Sequence, residues 1–419
     1  MYKERNNYEI MAPVGSYESL MAAIQGGANS IYFGLEGLNM RSRSANSFTI
    51  NDLHEIVRIC KKHKIKSYLT VNTIIYDGDL EQMRAIIDAA KQAQVSAIIA
   101  ADVSAMTYAR SLDVEVHLST QLNISNIEAL KFYAQFANVV VLARELNMAQ
   151  VQEIHEQIEK QQIKGPNGEL VRIEMFAHGA LCMAVSGKCY LSLHEMNASA
   201  NRGACNQICR RGYTVKDKES DIELTIDNQY IMSPKDLKTI HFINKMMDAG
   251  VQVFKIEGRA RGPEYVRVVC ECYKEAIVAV CEETLTEEKI LAWDERLKTV
   301  FNRGFWDGYY LGQRLGEWSH RYGNVATEKK IYVGKILNYF SKLGVAEILM
   351  ETQDLHIGDK ILITGPTTGA LFLETKEIRV NLLPVEQTKK GERFSIPVPE
   401  RVRLSDKLYK IIQEKLNNE

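Results

Sequence analysis

The sequence predicts an α/β protein: a (β/α)8 TIM-like barrel with a cysteine-rich insertion between strands 7 and 8, followed by a small C-terminal β-barrel domain. Three observations predict it. Eight short apolar runs rich in β-branched and aromatic residues recur up to residue 259, most of them followed by an amphipathic stretch. The runs are apolar throughout rather than alternating, as strands covered on both faces are. The rhythm breaks once, for about 70 residues between the seventh and eighth runs, far beyond the roughly 2–6 residues of an ordinary βα connection.

In chain order the runs are residues 9–13, 30–34, 66–72, 97–102, 115–121, 138–145, 173–179 and 251–259. Helical periodicity fills 17–25, 51–63, 80–93 and 148–160 between them, and continues at 262–283 and 286–301. An open doubly wound sheet is the competing arrangement. No Gly-x-Gly-x-x-Gly follows the first run, which weakens its dinucleotide-binding form. From about residue 326 the texture changes to short strands joined by turns such as His356-Ile-Gly-Asp and Gly365-Pro-Thr-Thr-Gly. The expected domains are therefore a barrel over 1–285, with its insertion at about 180–250, a helical linker over 286–325, and a small β-barrel over 326–419.

The chain has 419 residues, 46% hydrophobic and 25% charged, with a formal net charge of -1. There is ample apolar material for a large core, and no global basic field marks a nucleic-acid binder. Any RNA contact must be local. The polar N-terminus lacks the apolar core of a signal peptide, and no apolar run reaches the length of a membrane span. A cytoplasmic protein with reduced thiols is expected.

Four of the eight cysteines fall within one short stretch: Cys182 and Cys189 with six residues between them, then Cys205 and Cys209 with three. Clustered thiols in a reducing compartment read as metal ligands rather than disulfides. The uneven spacing suits an iron–sulfur cluster reached from several loops. A structural zinc, or thiols buried and inert, are the plainer alternatives. Cys60, Cys270, Cys272 and Cys281 sit on helical stretches and read as ordinary residues.

Polar residues at the C-terminal ends of barrel strands face the active-site mouth. Here they are Asn72, Asp102, Gln121, Arg144, Glu145, His178, Lys255, Glu257 and Arg259. Arg144 and Arg259 can fork to a carboxylate or phosphate, with Arg41 and Arg43 after the second run joining them. His178 or Glu257 is a candidate for proton transfer. For each one alone, an ion pair inside the barrel is the competing reading. Lys188, Arg202, Arg210 and Arg211 intersperse with the cysteines and could attract an RNA backbone or balance a thiolate-ligated cluster. Peptidase chemistry finds little support: there is no His-Glu-x-x-His and no Gly-x-Ser-x-Gly.

The run Glu174-Met-Phe-Ala-His-Gly-Ala-Leu-Cys-Met-Ala-Val-Ser-Gly-Lys-Cys189 closely resembles the signature of the collagenase-like peptidase family, peptidase family U32. Met11-Ala-Pro-Val-Gly-Ser, Leu118-Ser-Thr-Gln-Leu-Asn, Val141-Leu-Ala-Arg-Glu-Leu, Ser233-Pro-Lys-Asp-Leu and Lys255-Ile-Glu-Gly-Arg agree with it. The C-terminal run Val402-Arg-Leu-Ser-Asp-Lys-Leu-Tyr looks like the bacterial branch that hydroxylates tRNA. The resemblance implies oxygen-independent hydroxylation of RNA. The specific expectation is C5 of a wobble uridine in the tRNA anticodon loop, giving 5-hydroxyuridine with prephenate as hydroxyl donor. It also implies a four-iron four-sulfur cluster on Cys182, Cys189, Cys205 and Cys209, served by an electron donor the sequence does not identify. By position, Arg144, Glu145, His178 and Glu257 would serve catalysis, and Arg41, Arg43, Asn72, Gln121, Lys255 and Arg259 substrate binding. Hydroxylation of a ribosomal RNA cytidine and metal-dependent peptidase activity are the alternatives.

Overall fold

A computed structural model describes residues 4–40, 48–212, 233–313, 316–319 and 323–414. Eight parallel strands close into a barrel: β1 (Glu9–Pro13), β2 (Ser30–Phe33), β3 (Lys66–Val71), β4 (Ala97–Ala100), β5 (Val116–Leu118), β6 (Val139–Val141), β7 (Arg172–Ala180) and, closing the ring, β9 (Val251–Ile256). β9 pairs with both β7 and β1, so no strand of the ring is left as an edge. Between β7 and β9, the three-residue β8 (Asp236–Lys238) runs antiparallel to the end of β7.

The strands are buried on both faces, which is why their sequences do not alternate. Met11, Tyr32, Tyr68, Ala97, Ile99, Val139 and Val253 fill the barrel interior. The opposite faces pack under the outer helices: α1 (Tyr17–Gln25), α2 (Ile50–Lys62), α3 (Leu80–Ala93), α4 (Val103–Ser111), α5 (Ile127–Ala134), α6 (Met148–Gln161), α8 (Ile243–Asp248) and α9 (Pro263–Cys281). Their starts follow local chemistry. Ser16, Asp102, Asn126 and Asn147 accept backbone N–H groups at the first turns of α1, α4, α5 and α6. Pro263 opens α9, where its missing N–H costs nothing. The insertion carries a short helix, α7 (Leu191–Met196), between the two cysteine pairs.

The expected linker is more than a connector. After α10 (Glu287–Lys298) the chain returns to the barrel, and β10 (Phe305–Trp306) adds a parallel strand to β8. Asn302 fixes the return: its side-chain oxygen accepts from Gly304 N–H at 3.0 Å, and its amide donates to the Val300 carbonyl at 2.9 Å.

Residues from Glu328 onward form one antiparallel sheet: β11 (Glu328–Phe340), β12 (Val345–Met350), β13 (Lys360–Gly365), β14 (Gly369–Glu374), β15 (Ile378–Val380), β16 (Leu383–Val385), β17 (Arg393–Pro397) and β18 (Lys407–Gln413). It curls over a core of its own around Val333, Ile348, Phe394 and Leu408. A second apolar surface, including Leu362 and Ala370, joins the main core against α1 and α9. Gln25 clamps the junction, donating to the Thr368 carbonyl at 2.9 Å and accepting from Ala370 N–H at 3.0 Å.

Candidate active site at the mouth of the barrel

The C-terminal strand ends and the cysteine excursion enclose one cavity of about 400 Å³. Cys182, Cys189, Cys205 and Cys209 all line it, together with Asn72, Gln121, Arg144, Lys255, Glu257 and Arg259. Sequence order scatters these residues over about 190 positions, and barrel closure brings them together. Cys182 and Cys205 are exposed at the rim, while Cys189 and Cys209 are half-buried. Burial pushes the Cys209 thiol up, against the pull of the neighbouring Arg210 guanidinium. Cys60, Cys270 and Cys272 are core residues, as expected, and burial raises their thiols far from reactivity.

The excursion is tied to the barrel by its basic residues. Arg210 donates to the Leu181 carbonyl at 2.6 Å, to the Pro234 carbonyl at 2.6 Å and to Ser233 Oγ at 3.0 Å. Arg202 stacks on the Tyr76 ring at 3.9 Å, donates to the Ile74 carbonyl at 3.0 Å and pairs with Asp79. Neither is a free cation awaiting RNA. Lys188 and Arg211 remain exposed beside the cysteines. Gly187 adopts φ +74° where the loop turns against the Gln121 side chain, a conformation that favours glycine.

The strand-end residues divide into several groups. Asn72 and Gln121 form an amide pair across β3 and β5, the Asn72 amide donating to Ser119 Oγ at 3.1 Å and to Gln121 Oε1 at 3.4 Å. Arg259 donates to Asn39 Oδ1 at 3.1 Å and to Thr70 Oγ1 at 3.0 Å. Glu257 accepts from the Tyr32 hydroxyl at 3.0 Å. Lys255 is committed to an ion pair inside the barrel, 2.7 Å from the fully buried Glu174, although its side chain also reaches the cavity. Any part it takes in substrate binding is shared with that ion pair. Asp102 leaves the site altogether, capping α4 through Ser104 N–H at 2.9 Å and accepting from Ile75 N–H at 3.0 Å.

Two expected catalytic residues are not among the cavity-lining side chains. His178 is buried beneath the site at 1% exposure, its ring packed against Tyr265, Tyr273 and Phe305. The β7–β9 pairing shifts register between Phe176 and His178. The bulge breaks the alternation that would put both side chains on one face. Burial, reinforced by Lys238 and Arg261, holds the imidazole down at about 3. It is neutral at physiological pH and is no acid for the cavity. Its backbone is useful instead: the His178 carbonyl accepts from Glu257 N–H at 2.8 Å and fixes the end of β9. Glu145 is exposed: it sits beside the cavity-lining Arg144 in the turn after β6 and does not itself line the cavity. Arg41 and Arg43 lie outside the described residues.

The structure also supplies wall residues that strand-end reasoning did not single out. Tyr32 and Thr70 come from within β2 and β3, and Ser119 lies just past β5. Phe301 and Arg303 arrive from the returning segment. Arg261 lies 3.5 Å over the Phe301 ring, and Arg261 and Arg303 share the buried Asp236, each at 3.4 Å. The Asn302-Arg-Gly-Phe-Trp-Asp-Gly-Tyr stretch, dense in aromatic and turn residues, was the one signal for that wall.

Four thiols line the cavity, the ligand type shared by structural zinc and by sulfur-bridged iron clusters. Among the described residues no three His, Cys, Asp or Glu side chains converge closely enough to hold a single metal ion.

A closed (β/α)8 barrel with a cavity at its C-terminal mouth, lined by polar strand ends among apolar walls, has the build of a barrel enzyme. This chain belongs to peptidase family U32, whose profile matches residues 15–320, a span that takes in the returning segment. It is 72% identical over 405 residues to a protein of Porphyromonas gingivalis named collagenase, covering 97% of this chain and 98% of that one. It is 32% identical over 366 residues to a tRNA hydroxylation protein of Bacillus subtilis, covering 85% and 83%. It is 33% identical over 322 residues to a 23S rRNA 5-hydroxycytidine synthase of Escherichia coli, covering 74% of this chain and 46% of that protein. The family thus includes proteins named for RNA hydroxylation as well as for proteolysis. The solved structure of a U32 peptidase aligns with 60% of this chain and 93% of its own at 11% identity, with a TM-score of 0.40. Among the described residues no helix is long and apolar enough to cross a membrane.

Proposed function

We propose that this protein hydroxylates RNA without molecular oxygen, converting a wobble uridine of tRNA to 5-hydroxyuridine with prephenate as the hydroxyl donor. The observation that carries this reading is the opening of four cysteines into the same cavity as the polar strand ends. Cys182, Cys189, Cys205 and Cys209 would hold a four-iron four-sulfur cluster, which supplies one-electron redox capacity when bound. The chain's own residues do the rest. Prephenate is a dicarboxylate, and Arg144 and Arg259 in the cavity wall offer it guanidinium groups, while Lys255, Arg261 and Arg303 are engaged by Glu174 and Asp236. Asn72 and Gln121 present amides at the hydrogen-bonding edge a flipped base offers. An anticodon loop can splay a base into such a cavity at little unstacking cost. Glu257, oriented by Tyr32 and by the His178 carbonyl, is the group placed to take a proton from a bound substrate.

The test is nucleoside mass spectrometry of tRNA from cells with and without the gene. Loss of 5-hydroxyuridine derivatives, restored by the wild-type gene and not by Cys205→Ala, is the expected result. Anaerobically purified protein should be brown and absorb near about 400 nm, and the same substitution should bleach it. Unchanged tRNA in a strain without a second family member sinks the proposal.

The high identity to a protein named collagenase favours a second reading, peptide hydrolysis. The cavity offers it little: among the described residues its lining contains no histidine to activate a cysteine or serine. Digestion of gelatin by pure wild-type protein, lost in Glu257→Gln, would support that reading over the first.

A further inference from the structure

The cations around the cavity are not equivalent. Lys255 is paired with Glu174 at 2.7 Å, and Arg261 and Arg303 share Asp236 at 3.4 Å. Arg210 is held by backbone carbonyls at 2.6 Å, and Arg259 by Asn39 and Thr70 at 3.1 and 3.0 Å. Arg144 has none of this. It is 9% exposed and lines the cavity, yet its buried Nε has no hydrogen-bond partner. Among the described residues no carboxylate lies within ion-pair distance of it, and the adjacent Glu145 faces solvent. Its near neighbour is the ring of Phe176, 5.8 Å from the guanidinium carbon, and Phe176 also lines the cavity.

A buried guanidinium with no counter-charge is costly in the empty protein. It is retained where a ligand supplies the missing charge. We propose that Arg144 and Phe176 form a built subsite for the carboxylate of a small organic acid, with the guanidinium fork taking both carboxylate oxygens and the Phe176 ring meeting the acid's apolar body. The planar fork suits a carboxylate held in one plane. RNA phosphates are the other source of oxyanions, but a polynucleotide backbone stays at the surface while only a base enters a deep cavity. Arg144 therefore anchors the small co-substrate. This rests on the proposed reaction for the identity of the acid, but not for the existence of the subsite.

Binding is measured by thermal shift and calorimetry on the full chain, without RNA or turnover. The probes are prephenate, malonate, inorganic phosphate and an anticodon stem-loop. Wild type should bind prephenate more tightly than malonate, and inorganic phosphate weakest of the three. Arg144→Met should reduce prephenate binding at least about 30-fold (about 2 kcal/mol), while stem-loop binding changes less than about 3-fold. Arg144→Lys, which keeps the charge and loses the fork, should fall between. The empty Arg144→Met protein should melt higher than empty wild type, because an uncompensated charge has been removed. A merely structural arginine would give a lower melting point instead.

The inference is overturned if wild type binds neither carboxylate, if Arg144→Met binds prephenate like wild type, or if the loss falls on the stem-loop. Arg144-dependent binding of prephenate in a protein whose deletion leaves tRNA unmodified-nucleoside levels unchanged would uphold the subsite and refute the proposed reaction.

Discussion

Burial holds the His178 imidazole at about 3, with Lys238 and Arg261 adding repulsion of the charged form. In the unfolded chain the same group titrates near about 6.5. Between those values the unfolded state binds the extra proton, so folding stability falls as pH drops below about 6.5 and is fully present above it. His178→Gln, uncharged throughout, should flatten that loss, which amounts to a few kcal/mol between about pH 6.5 and 4. Urea midpoints of both proteins across that range provide the check, and parallel curves would remove His178 as the source. At the opposite end of the barrel, burial alone would raise Glu9. Lys66, Arg172 and the Tyr68 hydroxyl hold it at about 2. Glu9→Ala strands the Tyr68 hydroxyl and Arg172, and should cost about 2–4 kcal/mol in a denaturant melt. The half-exposed Lys66 adds little to that figure. Lying on the stability face of the barrel, it should leave prephenate binding unchanged.

Among the elements, the end of β7 bears most directly on the site. Gly179 has φ +105°, and a Cβ there would press on the Glu257 carbonyl and lie 2.8 Å from the Tyr265 hydroxyl. Both the backbone conformation and the space require glycine. Gly179→Ala should therefore destabilise the protein by about 2 kcal/mol or more. If the cysteines hold the proposed cluster, it should also lower the iron content of anaerobically purified protein, because Cys182 lies three residues beyond Gly179. Iron content equal to wild type would show that the excursion seats itself independently of β7. The bulge after Phe176 explains why this element misled strand-end reasoning. Alternation read from sequence assigns His178 to the mouth, and one inserted residue in the ladder sends its ring into the core.

For the whole molecule, the C-terminal sheet shares an apolar core with the barrel through Leu362 and Ala370. Polar clamps reinforce the join: Gln25 to Thr368 and Ala370, Arg267 to the Ala370 carbonyl, and Lys330 to Glu264 at 2.8 Å. A common core predicts one cooperative thermal transition. Replacing Gln25 and Arg267 together by alanine should remove about 1–3 kcal/mol from the join and broaden or split the calorimetric peak. Two resolved transitions in wild type would show instead that the sheet folds separately. α9 links the two regions, since it packs on that sheet and begins just past Arg259 and Arg261 in the cavity wall.

Much of this protein was written in its residues. Continuous apolar runs between amphipathic stretches specified a parallel sheet covered on both faces; eight of them fitted a closed barrel, and the pairing of β9 with both β7 and β1 decided against an open sheet. Four cysteines in one long excursion specified where thiols gather, and the fold puts them around one cavity. These are properties of pattern and spacing, which survive without coordinates because burial on both faces and thiol chemistry act on every such sequence alike. What only the tertiary structure decided is pairing. Lys255 meets Glu174, Arg261 and Arg303 meet Asp236, Arg210 meets backbone carbonyls, and the buried Nε of Arg144 meets no acceptor among the described residues. The electrostatic character of each cation depends on neighbours tens to hundreds of residues away in sequence, and such contacts exist only once the ring of strands has closed.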